Sequence, residues 1–111
     1  MLKGHLDMIV LAALAAAGSA HGYAVIEEIK QRSGGAFDLP EGTIYPALHR
    51  LELAGLLSSR WVTAESGRRR RVYALTRQGN HALAERRAVW RQFADAIGGL
   101  LEGIRPSGKP A

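Results

Sequence analysis

Cysteine is absent from the 111 residues, which removes disulfides, thiolate metal ligands and cysteine nucleophiles at once. Histidine occurs only as His5, His21, His49 and His81, positions too scattered for metal-ligand spacing. Acid pairs are also wanting, because Glu27 and Glu28 are sequence neighbours that a helix points in different directions. Without a nucleophile, a carboxylate pair or a ligand cluster, the chain reads as a non-enzyme that needs neither metal nor cofactor. Long apolar runs are lacking as well: Met8 to Ala17 falls well short of the roughly 20 residues needed to span a bilayer.

Arginine is present in excess, and in one place. The formal net charge is +5, and residues 60–77 hold Arg60, Arg68, Arg69, Arg70, Arg71 and Arg77 against Glu65 alone, so one segment carries the whole imbalance. A basic patch this concentrated on a small domain points to a polyanion, and to nucleic acid before membrane, because no lipid-facing amphipathic stretch accompanies it.

The first twenty residues have the outline of a secretory signal, with Lys3 before an apolar run and Gly18-Ser19-Ala20 after it. Asp7 stands directly before that run, however, and Leu6, Ile9, Val10, Ala13, Leu14 and Ala17 recur with helical spacing. The stretch is therefore expected to be the first helix of a cytoplasmic protein, ended by Gly18. A second helix should open at His21-Gly22-Tyr23, bury Val25, Ile26 and Ile29, and end at Ser33-Gly34-Gly35. Leu39 precedes a proline and should be extended, so a short edge strand is expected over Phe37 to Leu39.

The stretch Gly42 to Glu52 organises the rest. Ile44, Leu48 and Leu51 define a buried face, leaving Thr43, Pro46, Ala47 and Arg50 on the free one. Proline is excluded from a helix interior, so the helix must begin near Glu41 to Thr43, with small residues at its tip. Such a helix can enter a DNA major groove end-first. After Gly55 come a strand (Leu57 to Val62), a Ser66-Gly67 turn, the four arginines and a second strand (Val72 to Leu75). That order of elements is a winged helix-turn-helix.

Thr76 is placed to cap a last helix from Arg77 to about Glu102, although Gly79 stands where a capping-box glutamate would. Along it Arg86, Trp90, Phe93, Ile97, Leu100 and Ile104 alternate spacings of 4 and 3, the seam of a coiled coil. The small winged domain cannot cover that stripe alone. A homodimer is therefore expected, with Leu6, Val10, Trp90, Phe93, Ile97 and Leu100 at its interface. Trp90 is either a large knob in that interface or, with Phe93 and the copy across a two-fold axis, one wall of a site for a flat aromatic ligand. Trp61 is expected to pack beside Leu57.

Several segments together resemble one family. Leu2-Lys3-Gly4-His5-Leu6-Asp7, His21-Gly22-Tyr23, the eleven residues Gly42 to Glu52, Gly55-Leu56, Gly67 to Tyr73, and Leu75-Thr76 with Gly79 are similar, in order, to the signature of PadR-family transcriptional regulators. The continuation to about Gly103 resembles the single C-terminal helix of the family's short branch. The resemblance implies a dimeric winged-helix protein, mostly a repressor in that family. It places Thr43, Tyr45, Pro46, Ala47, His49 and Arg50 on the recognition helix and Arg68, Arg69 and Arg70 at the wing tip. It also implies a precedent for ligand binding at Trp90, since multidrug-sensing members carry a tryptophan at the matching place.

The resulting expectation is a mainly α fold with a small β-hairpin or sheet (α+β). Residues 1–76 form the winged DNA-binding domain, 77–104 the dimerisation helix and 105–111 a disordered tail. The function expected is sequence-specific binding of double-stranded operator DNA by a homodimeric repressor, with an aromatic effector as a further partner. The rival readings are a protein-interaction module that grips an acidic partner by the wing, and an RNA-binding module. Operator specificity separates the first from a regulator, and direct competition between DNA and RNA separates the second.

Overall fold

The computed structural model describes residues 5–102. The elements run α1 (Leu6–Ala17), β1 (Ala20–His21), α2 (Gly22–Arg32), α3 (Glu41–Leu53), β2 (Leu57–Thr63), β3 (Arg69–Leu75) and α4 (Arg77–Glu102). This is the mainly helical α+β class that the sequence pattern predicts.

The core forms where three short helices pack their apolar stripes together. Its fully enclosed side chains are Val10 and the leucines Leu11 and Leu14 from α1, Val25 from α2, and Ile44, Leu48 and Leu51 from α3. No polar or charged residue is buried with them among the described residues. Val10, expected at a subunit interface, has no surface left to offer a partner, and Leu6 is half-buried against the same cluster. The α1 stripe that looks available in the sequence is the one its own subunit covers, because α1 packs against α2, α3, α4 and β3. The chain leaves α1 through Gly18, whose φ of +86° suits glycine and whose N–H donates to the Leu14 carbonyl at 2.8 Å.

The sheet has the antiparallel order β1-β3-β2. Its third strand is not Phe37 to Leu39, as expected, but Ala20–His21, paired with Tyr73 and Val72. Those two residues take the free edge of β3 on the way from α1 into α2, and Leu39 instead sinks into the core. Strand β3 is also longer than expected, starting at Arg69 rather than Val72.

Helix α4 starts on a pair of close contacts. Thr76 Oγ1 accepts the Gly79 N–H at 3.0 Å and donates to the Gly55 carbonyl at 2.7 Å. A Cβ at position 79 would lie 2.0 Å from the Leu56 carbonyl oxygen, so glycine is required there for the first turn to sit on the β2 approach. The helix runs through Gly98-Gly99 without a break, and of its 26 residues it buries only Gly79 and Leu83. Its distal stripe, with Trp90, Phe93, Ile97 and Leu100, stands exposed on the single chain. The seam's last expected member, Ile104, and the tail 105–111 lie outside the described residues. No helix among those residues is long and apolar enough to cross a membrane.

Candidate nucleic-acid interface

Helix α3 begins at Glu41, with the N–H groups of Thr43 and Ile44 donating to the Pro40 carbonyl at 2.9 and 3.1 Å. Its buried stripe is Ile44, Ala47, Leu48 and Leu51. Ala47, expected on the free face, is therefore an interior residue: the full i, i+3, i+4, i+7 pattern takes it inward, where its small side chain lets α3 lie close to the core. Tyr45, Pro46 and His49 are exposed and Thr43 is half-buried at the helix entrance.

Arg50 is exposed too, but its guanidinium is engaged. It pairs with Asp7 from the first turn of α1, a partner 43 residues away, and not with Glu52 on its own helix or Glu28 on α2. Glu28 pairs with Arg32 at 2.5 Å. Glu52 accepts from Ser59 Oγ at 2.5 Å and lies 3.6 Å from Arg71. The Arg50 guanidinium, still largely exposed, is thus held against α1.

Tyr45 lies across the start of α2. A Cβ on Gly22 would come 2.4 Å from Tyr45 Cε1, so only glycine admits the ring. Next to it, His21 caps α2: its Nδ1 accepts the Ala24 N–H at 3.2 Å. Its other nitrogen, Nε2, is 2.7 Å from Arg70 Nη1. A neutral imidazole has one acceptor nitrogen and an arginine only donates, so one of the two contacts can be a hydrogen bond at a time. Burial first, and the Arg70 charge second, push the His21 pKa below its ordinary value.

The β2–β3 hairpin is the wing. Its turn is closed by the Ala64 N–H donating to Arg68 O at 2.8 Å and the Gly67 N–H donating to Ala64 O at 2.9 Å. Because Arg69, Arg70 and Arg71 already belong to β3, they alternate between faces instead of clustering at the tip. Arg71 lies opposite Trp61, and Arg69 opposite Thr63 on that same face. Arg70 points the other way, towards His21. Arg68 alone sits in the turn. Trp61 does not pack beside Leu57, which lies about 13 Å away along the strand at ~3.3 Å per residue. It is exposed, with two arginines over its ring.

A second feature lies between α1 and α4: an open groove of about 680 Å³ lined by His5, Asp7, Arg86, Val89, Trp90 and Phe93 among others. The Trp90 ring stands edge-on to His5 and tilted to Phe93, both with centroids 5.8 Å away. Arg86 Nη1 is buried without a hydrogen-bond partner among the described residues. Ile97 and Leu100 continue the apolar stripe beyond the groove. The sequence pattern alone gives Asp7, His21 and Trp61 no part in the nucleic-acid surface, and it counts Arg71 only as one of a basic run. Only His21 carries a local signal, as a residue able to cap before Gly22.

Residues 10–85 match the protein-family model described as the transcriptional regulator PadR-like family. Over 86 residues the chain is 40% identical to the transcriptional regulator Rv3488 of Mycobacterium tuberculosis (strain ATCC 25618 / H37Rv), covering 77% of each protein. Its structure is similar to that of a PadR-like transcriptional regulator from Bacillus cereus strain ATCC 14579, with a TM-score of 0.80 at 26% identity, covering 94% of this chain and 98% of that one. It is also similar to Bacillus subtilis PadR in complex with operator DNA, with a TM-score of 0.65 at 25% identity, covering 72% of this chain and 45% of the other.

Proposed function

The chain belongs to the PadR-like family of transcriptional regulators, and from that membership we propose that it acts as a homodimeric repressor that reads a pseudo-palindromic operator. The observation that carries this reading is the continuity of one surface. Arg70 of the wing meets His21, His21 precedes Gly22, and Tyr45 of α3 lies across Gly22. A basic hairpin and the free face of α3 are thereby joined through the start of α2.

On DNA, Thr43, Tyr45, Pro46 and His49 face the major groove, where small groups meet base edges and thymine methyls and Tyr45 and His49 reach phosphates. Arg68, Arg69 and Arg70 supply phosphate contacts or enter a narrow minor groove. Arg50, tied to Asp7, positions α3 against α1. Two copies joined along α4 present two reading helices, with half-sites about one helical turn, roughly 34 to 36 Å, apart. Repression follows from occupying promoter DNA in the cytoplasm.

The Trp90 groove is the effector site in this reading. Trp90 and Phe93 supply flat apolar walls, and the unmet Arg86 Nη1 calls for an acceptor atom, such as a phenolate or carbonyl oxygen, on a flat aromatic ligand. Such a ligand induces only if it binds the DNA-incompetent spacing of the two wings more tightly than the competent one.

The test is fluorescence anisotropy on the DNA upstream of the protein's own gene and on a scrambled duplex, at two salt concentrations. A sequence-reading regulator should prefer the first by roughly a thousandfold or more, with both affinities falling as salt rises. Equal binding to both duplexes would remove operator recognition at that site and favour an interaction module.

A further inference from the structure

On the wing, Trp61 is 54% exposed, and two guanidinium groups lie over its ring, Arg69 at 4.8 Å and Arg71 at 5.3 Å from the centroid. The strand register produces the arrangement: Arg71 is directly across from Trp61, and Arg69 pairs with Thr63, two residues along on the same face. The two arginines differ in what else they touch. Arg71 donates from Nε to Ser59 Oγ at 2.9 Å, and its Nη2 faces Glu52 at the end of α3 at 3.6 Å. Arg69 has no ion pair among the described residues, and the indole is what holds its guanidinium.

A guanidinium that lies by its flat face over an aromatic ring keeps its N–H donors in its own plane, pointing outward and free for an anion. A long arginine side chain that is already ordered loses less rotamer entropy when it closes on a phosphate. We propose that Trp61 is a positioning residue for DNA binding. Its indole holds Arg69 along the wing with the N–H edge free for a backbone phosphate, while Arg71, fastened through Ser59 and Glu52 to α3, keeps the indole in register with the reading helix. The inference rests on the wing being a DNA contact.

The experiment is a double-mutant cycle read on a random-sequence duplex across several salt concentrations, so that no operator is needed. Trp61→Leu should weaken binding about two- to fivefold, the range of an exposed cation–π contact, and Trp61→Phe should restore most of it. In an Arg69→Ala background the Trp61→Leu effect should vanish. Arg69→Ala itself should lower the slope of log affinity against log salt by about 0.9. Melting temperatures, compared at one protein concentration, should stay close to wild type. An equal Trp61→Leu loss with and without Arg69, or one that phenylalanine does not relieve, overturns the positioning role. Should Trp61→Leu unfold the hairpin, Trp90→Phe leaves Trp61 as the only tryptophan. Its emission should then shift on Arg69→Ala, and unchanged emission overturns the stack. A wild type that shows the cycle but prefers no duplex sinks the operator reading and keeps this one. Tight operator binding without Trp61–Arg69 coupling does the reverse, and no duplex binding at all overturns both.

Discussion

At His21 two donors, the Ala24 N–H and Arg70, compete for one imidazole. Protonation would take away the acceptor that caps α2 and set a cation against Arg70. The native pKa is accordingly below 6.5, mainly through burial. The unfolded chain then takes up the proton first. The stability contributed by the neutral ring is complete above about pH 6.5 and is lost as the pH falls through that value towards the lower native pKa. His21→Asn keeps a capping oxygen without titrating there. Urea midpoints measured between about pH 8 and pH 5 should therefore fall further for the wild type than for His21→Asn. Parallel curves would place the pH dependence elsewhere. Tyr73 acts at the other end of the scale. Burial first, then Glu52, raises its phenol above 10, so its contribution is present below pH 10 and is lost as the pH rises through the native value.

Two of the close-approach glycines, Gly22 and Gly79, separate stability from placement. A methyl at position 79 meets a backbone carbonyl, while one at position 22 meets the end of a side chain that can swing away. Gly79→Ala should cost about 1 to 3 kcal/mol of stability, the usual range for overpacking. Gly22→Ala should cost less in denaturation but displace Tyr45, and so weaken DNA binding more than it weakens the fold. Denaturation and anisotropy on the same two variants check both halves. Equal loss in both assays for Gly22→Ala would mean that the Tyr45 ring has no role at the DNA surface.

Among the elements, the wing carries the clearest charge test. Arg68→Glu with Arg69→Glu removes two cations and installs two repulsive groups, so affinity should fall about a hundredfold or more near ~0.1 M salt, with a shallower salt slope. The dimer should be unaffected, and unchanged affinity would mean that the hairpin is not a DNA contact. How far the elements are legible in the sequence depends on period. Helices α1 to α4 are readable because apolar residues recur over several turns, and the start of α4 is readable because Thr76 is a capping residue followed by a long seam. Strand β1 is not, since two residues display no period and their pairing is a long-range matter. The alternation of Arg69, Arg70 and Arg71 escapes the sequence pattern because four like side chains hide where a strand begins. Ala47 is placed on the wrong face because alanine marks neither a buried nor an exposed position by its chemistry. The Arg50–Asp7 pair is not legible in the sequence because Asp7 is remote along the chain and close only once α1 packs on α3.

For the molecule as a whole, the deciding question is what covers α4. The helix spans about 39 Å at ~1.5 Å per residue, yet only Gly79 and Leu83, both in its first two turns, are buried. Beyond them Trp90 (46% exposed), Phe93 (56%), Ile97 (38%) and Leu100 (70%) lie along one stripe, and Val89 and Leu101 widen it. A contiguous apolar strip on an otherwise charged helix is poorly tolerated in water, and helices this long draw most of their stability from packing rather than from propensity. The 3-and-4 spacing is the one that knobs-into-holes pairing uses, which makes a second copy the occupant that best matches it. Phe93 occupies the middle of the stripe, where an aspartate would place an unpaired charge between two subunits. Phe93→Asp should therefore sediment as a monomer or an unfolded chain, while the wild type should sediment as a dimer at the same concentration. Where it stays folded, it should lose operator affinity, because one reading helix alone meets only one half-site. A stable Phe93→Asp dimer would show that the subunits meet along some other face, and the groove beside Trp90 would then open to solvent rather than onto a two-fold axis.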